Sequence, residues 1–197
     1  MTTYTRVLLM TAPLALALAL AGCGGAAGTG DMPGMHHGSG ESSASAADVA
    51  MSDQMFVTMM IPHHEQAIEM ADILLAKEGV DPRVVAIAER IKAAQGPEIE
   101  LMEGWLEDWG VGAGSGGMDH GDGMMSEADM SALREADGAT AGRLFLEQMV
   151  VHHQGAVEMA EAAFAAAEDP EVKALAEQVV EEQKAEIAEM QELAATL

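Results

Sequence analysis

The stretch "MIPHHEQAIEMA", residues 60–71, returns in altered form as "MVVHHQGAVEMA", residues 149–160. Met60, His63, His64, Ala67, Glu69, Met70 and Ala71 match Met149, His152, His153, Ala156, Glu158, Met159 and Ala160 at identical spacing. The correspondence extends in both directions. Phe56 and Phe145 each stand seven residues before the first histidine of a pair. Downstream, Asp81-Pro82 corresponds to Asp169-Pro170, and Gln95, Glu98, Ile99 and Met102 correspond to Gln183, Glu186, Ile187 and Met190. Self-similarity on this scale means one supersecondary unit used twice.

The unit is helical. Phe56, Met60, His63, Ala67, Met70, Ala71 and Leu74 recur at three- and four-residue steps, which puts them on one helix face. Asp48 is its predicted N-cap and Gly79 its stop. Pro62 predicts a kink beside the histidines. Asp81-Pro82 reads as N-cap and first residue of a second helix, ending near Gly110, with Val84, Ala88, Ile91, Gln95, Ile99, Met102 and Leu106 on its face. Ser126-Glu127-Ala128-Asp129 caps a short helix to about Ala136. A third long helix starts at Asp137-Gly138 and runs to about Ala167, and Asp169-Pro170 starts a fourth. The halves 48–109 and 137–197, joined by a Gly/Met/His-rich connection at 110–136, predict an all-α antiparallel four-helix bundle over 48–197.

The remainder reads as targeting. Arg6, the apolar run Val7–Leu20 and "LAGC" at 20–23 describe a lipoprotein signal peptide, residues 1–22, with lipid on Cys23. Residues 23–47, rich in Gly, Ser and Ala, read as a flexible tether. The chain is therefore expected at the extracytoplasmic face of a bacterial envelope. All 33 acidic residues and 8 of the 9 basic ones follow the leader. That balance excludes nucleic acid as a partner and leaves lipid at Cys23 as the only membrane attachment. With the sole cysteine lipidated, a soft metal ion has to be held by methionine or histidine, of which there are 17 and 7.

On a helical wheel His63 lies mid-stripe with Met60, Ala67, Met70 and Leu74, and His64 lies at the stripe's edge. Gln95, Ile99 and Met102 share one face of the next helix, with Glu98 at its edge, and the second repeat places His152, Met159, Gln183 and Met190 likewise. Imidazole and thioether together suit Cu(I) and, by extension, Ag(I); imidazole alone also suits Cu(II). The candidate ligands are Met60, His63, His64, Met70, Met149, His152, His153 and Met159, with Gln95, Glu98, Met102, Gln183, Glu186 and Met190 as supporting or additional groups. Two loop clusters, Met32, Met35, His36 and His37, and Met118, His120, Met124 and Met125, carry methionines that core packing does not explain. They are expected to capture ions.

Other readings compete. A His/Gln layer whose members hydrogen-bond one another would suit a metal-free envelope interaction module. A di-iron oxidase of the ferritin type needs glutamates three residues before its histidines, where Met60 and Met149 stand. No catalytic constellation is recognised, so the expectation is a binding protein rather than an enzyme. Metal ions are its expected partners, and the sequence does not name a protein that exchanges them.

"FVTMMIPHHEQAIEMA" (56–71) and "FLEQMVVHHQGAVEMA" (145–160), followed by "QGPEIELM" (95–102) and "QKAEIAEM" (183–190), resemble the bacterial "domain of unknown function 305" family over about residues 48–195. The resemblance implies a ferritin-like four-helix bundle, exported and often lipid-anchored. A characterised periplasmic member binds copper and silver and contributes to copper resistance. By that resemblance the two Met/His-His/Met sets become candidate copper ligands.

Overall fold

The computed structural model describes residues 49–112 and 123–197. The leader, Cys23, Met32, Met35, His36, His37, Met118 and His120 lie outside the described residues. Five helices and no strand occur among the described residues: α1 (Met51–Leu75), α2 (Pro82–Trp109), α3 (Glu127–Glu135), α4 (Gly138–Ala166) and α5 (Pro170–Ala194). None of them is long and apolar enough to cross a membrane.

The capping residues foreseen in the sequence set most boundaries. Asp81 accepts from the Arg83 amide ahead of Pro82, and Asp169 accepts from the Glu171 and Val172 amides ahead of Pro170. These side chains satisfy amides that the first helical turn leaves without partners. Ser126 and Asp129 form a reciprocal capping box, and Asp137 caps α4 through the Thr140 amide. Gly110, with φ 66°, closes α2 in the left-handed conformation that glycine adopts without a Cβ penalty. The expectation for α1 needs correction. Its N-cap is Ala50, which offers no side-chain bond. Its first turn is tied down instead by Asp53, buried, whose carboxylate accepts from the Glu168 and Asp169 amides at the start of α5. Pro62 and Pro97 both lie within continuous helices, and neither ends one.

α1 packs on α2, α4 on α5, and α1 on α4; the short α3 rests on α1 and α4. Two apolar clusters fill the interior. One joins Met70, Ala71 and Leu74 of α1 to Ile87 and Ile91 of α2, Phe145 and Met149 of α4, and Met190 of α5. The other joins Phe56 and Met60 of α1 to Met102 of α2, Ala156 and Ala160 of α4, and Val179 of α5. The front half of α1 thus shares a cluster with the back half of α4, and the reverse. The two histidine pairs sit between the clusters.

The connection into α4 depends on one glycine. A Cβ on Gly138 would overlap the Glu78 carbonyl, whereas one on Gly142 would meet Val80 Cγ1 at an ordinary 3.7 Å. Gly138→Ala is expected to cost about 1–3 kcal/mol through overpacking. Gly142→Ala, inside a helix, is expected to be neutral or to stabilise by up to about 1 kcal/mol. Chemical denaturation of the two variants checks this, and equal effects would contradict the close approach at Gly138.

Candidate metal centre

The helix face that carries His63 meets the face that carries His152. Their ring centroids are 3.8 Å apart, tilted by 40°. His63, His64, His152 and His153 are all buried. The repeat therefore brings its two halves together at one histidine layer.

The four rings fall into two kinds. His64 Nε2 lies 2.9 Å from Glu98 Oε2, and His153 Nε2 lies 2.8 Å from Glu186 Oε2. A carboxylate only accepts, so each of these rings donates from Nε2–H. Nδ1 is buried without a partner among the described residues in both rings. Gln178 Nε2 donates to the other oxygen of Glu98 at 3.3 Å. Among the described residues His63 and His152 have no hydrogen-bond partner at either ring nitrogen. Burial holds His63 down at about 3 from its ordinary 6.5, with the neighbouring His64 and His153 rings adding to the shift. His152 is likewise pushed well below 6.5, first by burial and then by its proximity to His63, His153 and His64. Both rings are neutral at pH 7 and present lone pairs to the interior.

The arrangement departs from the wheel in three ways. His64 and His153 are not at an edge but fully enclosed, and Glu98 is buried with them. The His–Gln pairing of the competing metal-free reading does not form: Gln95 and Gln183 are buried, and their Oε1 atoms have no partner among the described residues. The methionines also sort across the repeats. Met60 and Met70 share a helix but belong to opposite clusters. One side of the layer has Met70, Met149 and Met190; the other has Met60, Met102 and the half-buried Met159.

An unpaired polar atom in a protein interior costs about 1–3 kcal/mol. Nine such side-chain atoms are buried among the described residues, six of them imidazole nitrogens in this layer. A metal ion that takes imidazole lone pairs would relieve that cost, so the donor set fits one. The ligand chemistry is also constrained. Among the described residues no group of three or more His, Cys, Asp or Glu is placed to hold a metal ion by itself.

The end of the Met/His-rich connection is pinned beside this layer. Gln66 accepts from the Met125 amide at 2.7 Å and donates to the Met125 carbonyl at 2.9 Å. Gly123, with φ 105°, approaches α4 so closely that an added Cβ would lie 2.8 Å from Gly155 Cα. Met125 packs against the core, which corrects the expectation that packing plays no part in this loop's methionines. Gln148, buried, donates to the Asp129 carbonyl at 3.0 Å and ties α3 to α4. Sequence reading missed Gln66, Gln148 and Asp53, because each acts through a backbone group distant in the chain. Gln66→Ala is expected to speed amide exchange at Met125 while leaving the α4 amides protected, at a cost of about 1–2 kcal/mol. Unchanged exchange at Met125 would mean that Gly123 alone holds the segment.

Fold and layer together define a class: an all-helical protein made from a duplicated helix pair, with a buried histidine layer bracketed by thioethers. The chain belongs to the family described as Domain of unknown function (DUF305), whose profile matches residues 53–194. No curated protein matches it. Among solved structures it is similar to a DUF305 protein of Streptomyces coelicolor, described as secreted, at 33% identity and TM-score 0.70, covering 74% of this chain and 93% of that one. A DUF305 fragment from Deinococcus radiodurans matches at 33% identity and TM-score 0.70, covering 76% and 99%. CopM in its Cu(I)-bound form matches at 33% identity and TM-score 0.63, covering 73% and 96%. CopM has also been crystallised in Cu(II)-bound, Ag-bound and apo forms.

Proposed function

We propose that this protein binds Cu(I), and also Ag(I) or Cu(II), as a buffer or carrier in the bacterial envelope. The observation that carries the reading is the contact between His63 and His152, with both nitrogens of each ring buried and unpartnered. His63 and His152 are the primary ligands. His64 and His153 offer Nδ1, with Glu98 and Glu186 fixing their tautomer, the arrangement in which a carboxylate orients a metal-binding imidazole. Met60, Met70, Met149 and Met159 supply thioethers, with Met102 and Met190 placed in the same two clusters. CopM, crystallised with Cu(I), Cu(II) and Ag, supports the choice of ion.

The four long helices form an antiparallel, ferritin-like bundle, in keeping with the contacts between the start of α1 and the end of α4. Residues 1–22 direct export and Cys23 carries lipid, a placement supported by the description of the Streptomyces relative as secreted. The reading assigns the chain no catalytic residue. The test is a competitive Cu(I) titration under anaerobic, reducing conditions, comparing the protein with its His63→Ala/His152→Ala variant.

A further inference from the structure

Methionine is ordinarily an interior residue. Met51 and Met55, in the first two turns of α1, are 84% and 60% exposed. They are four residues apart, and the same step leads to Met59, half-buried, and then to His63, 2% exposed. Residues four apart in a helix are stacked neighbours about 5–6 Å apart at Cβ. Helical side chains also lean toward the N-terminus, so each member of the row points at the one before it. The row therefore runs along one ridge of α1 from solvent to the histidine layer, with three thioethers on the way.

Packing does not demand those thioethers. The equivalent ridge of the second repeat carries Thr140, Leu144, Gln148 and His152. It also runs from solvent to the layer, from exposed Thr140 through half-buried Leu144 to buried Gln148 and His152, more enclosed at its two middle positions than the first ridge and without a methionine. The ridge is also held in place. Ser52 Oγ donates to the Ala166 carbonyl at 3.1 Å, and the Asp53 carboxylate grips the start of α5, so the outermost turn is ordered despite its bare N-cap. The row ends on a ring whose two nitrogens are unpartnered.

We propose that Met51 and Met55 form an exposed dithioether site for a soft monovalent cation, Cu(I) or Ag(I), which Met59 passes to His63. Two flexible thioethers one turn apart can share one soft ion without losing a proton. The site is open and neutral, so it binds weakly and exchanges quickly. The strongly acidic chain concentrates cations around it. The transfer step rests on the copper-binding reading given above; the outer site does not.

The test uses the full chain labelled with [methyl-13C]methionine, with Ag(I) as a redox-inert probe and resonances assigned by single Met→Leu substitutions. The Met51 and Met55 methyl signals are expected to move together in fast exchange, both in the native protein and in His63→Ala/His152→Ala. Loading is then followed as transfer of Cu(I) from a chromophoric chelator. Met51→Leu/Met55→Leu/Met59→Leu is expected to slow transfer by at least about tenfold while the tight sites fill to the same final level. Methyl signals that do not move, or a transfer rate that does not change, overturns the proposal. Methyl shifts in a protein whose tight Cu(I) affinity ignores His63 and His152 would instead overturn the histidine-layer reading and leave the outer site standing.

Discussion

His63→Ala/His152→Ala is expected to weaken Cu(I) binding by more than about 100-fold, since even groups that merely orient metal ligands cost 10–100-fold when removed. The two rings touch across the repeats and are the only ones of the four, among the described residues, with neither nitrogen engaged. Their alanine variants remove the two touching rings and leave His64, His153 and the thioethers of Met60, Met70, Met149 and Met159 to hold the ion. The single variants decide the stoichiometry. If the layer is one shared centre, His63→Ala and His152→Ala each lower the affinity of the same equivalent of Cu(I). If there are two centres, each variant abolishes one equivalent and spares the other. Stability has to be followed in parallel, because the substitutions open space between the two apolar clusters. They also remove unpaired polar atoms, so the two effects oppose each other. Affinity indifferent to both substitutions would reduce the layer to core structure and confine metal chemistry to the loops and the exposed methionines.

Much of this arrangement was legible in the repeat. Helical periodicity placed His63 and His152 on core-facing stripes, and the Asp-Pro and Ser-x-x-Asp signals located the starts of α2, α3 and α5, because these features are local. The wheel failed where a third helix intervenes. A side chain at the edge of its own stripe, such as His64, becomes fully enclosed when Glu98 reaches it from α2. The same limit hid the division of the methionines. Met60 and Met70 look like one set along α1, but they are separated by the histidine layer and grouped with methionines of other helices. The Asp53 carboxylate, serving α5 from α1, could not be read from spacing at all, because its partners are backbone amides more than a hundred residues away. Glutamine was the natural partner for a buried histidine. The structure gives that role to glutamate, which only accepts, so the ring donates from Nε2.

The metal-free protein is expected to lose stability steeply as the pH falls below 6.5, and the cause is the same pair of rings. In the unfolded chain each histidine titrates near its ordinary 6.5, while burial holds His63 at about 3 in the folded protein. Between those values the unfolded state takes up a proton that the folded state refuses. Stability from the neutral ring is thus fully present above 6.5, declines on acidification and is exhausted near 3. The slope is up to about 1.4 kcal/mol per pH unit for each such ring. His152 shifts in the same direction and adds to it. Two units below 6.5 the His63 term alone reaches about 3 kcal/mol, a large share of the 5–15 kcal/mol that usually separates folded from unfolded domains. Neutralising the acidic surface works the other way, since it relieves self-repulsion in a chain of net charge −24. The comparison that isolates the rings is His63→Leu/His152→Leu, which keeps the surface and removes the titration. Acid unfolding followed by circular dichroism should give this variant a midpoint at lower pH than the native apoprotein. Silver-loaded native protein should also resist acid, because an ion bound only to the folded state stabilises it and competes with protons for the same nitrogens. Coincident acid transitions in all three samples would mean that the layer is hydrated or protonated in solution, and would remove the physical basis for a neutral, waiting ligand set.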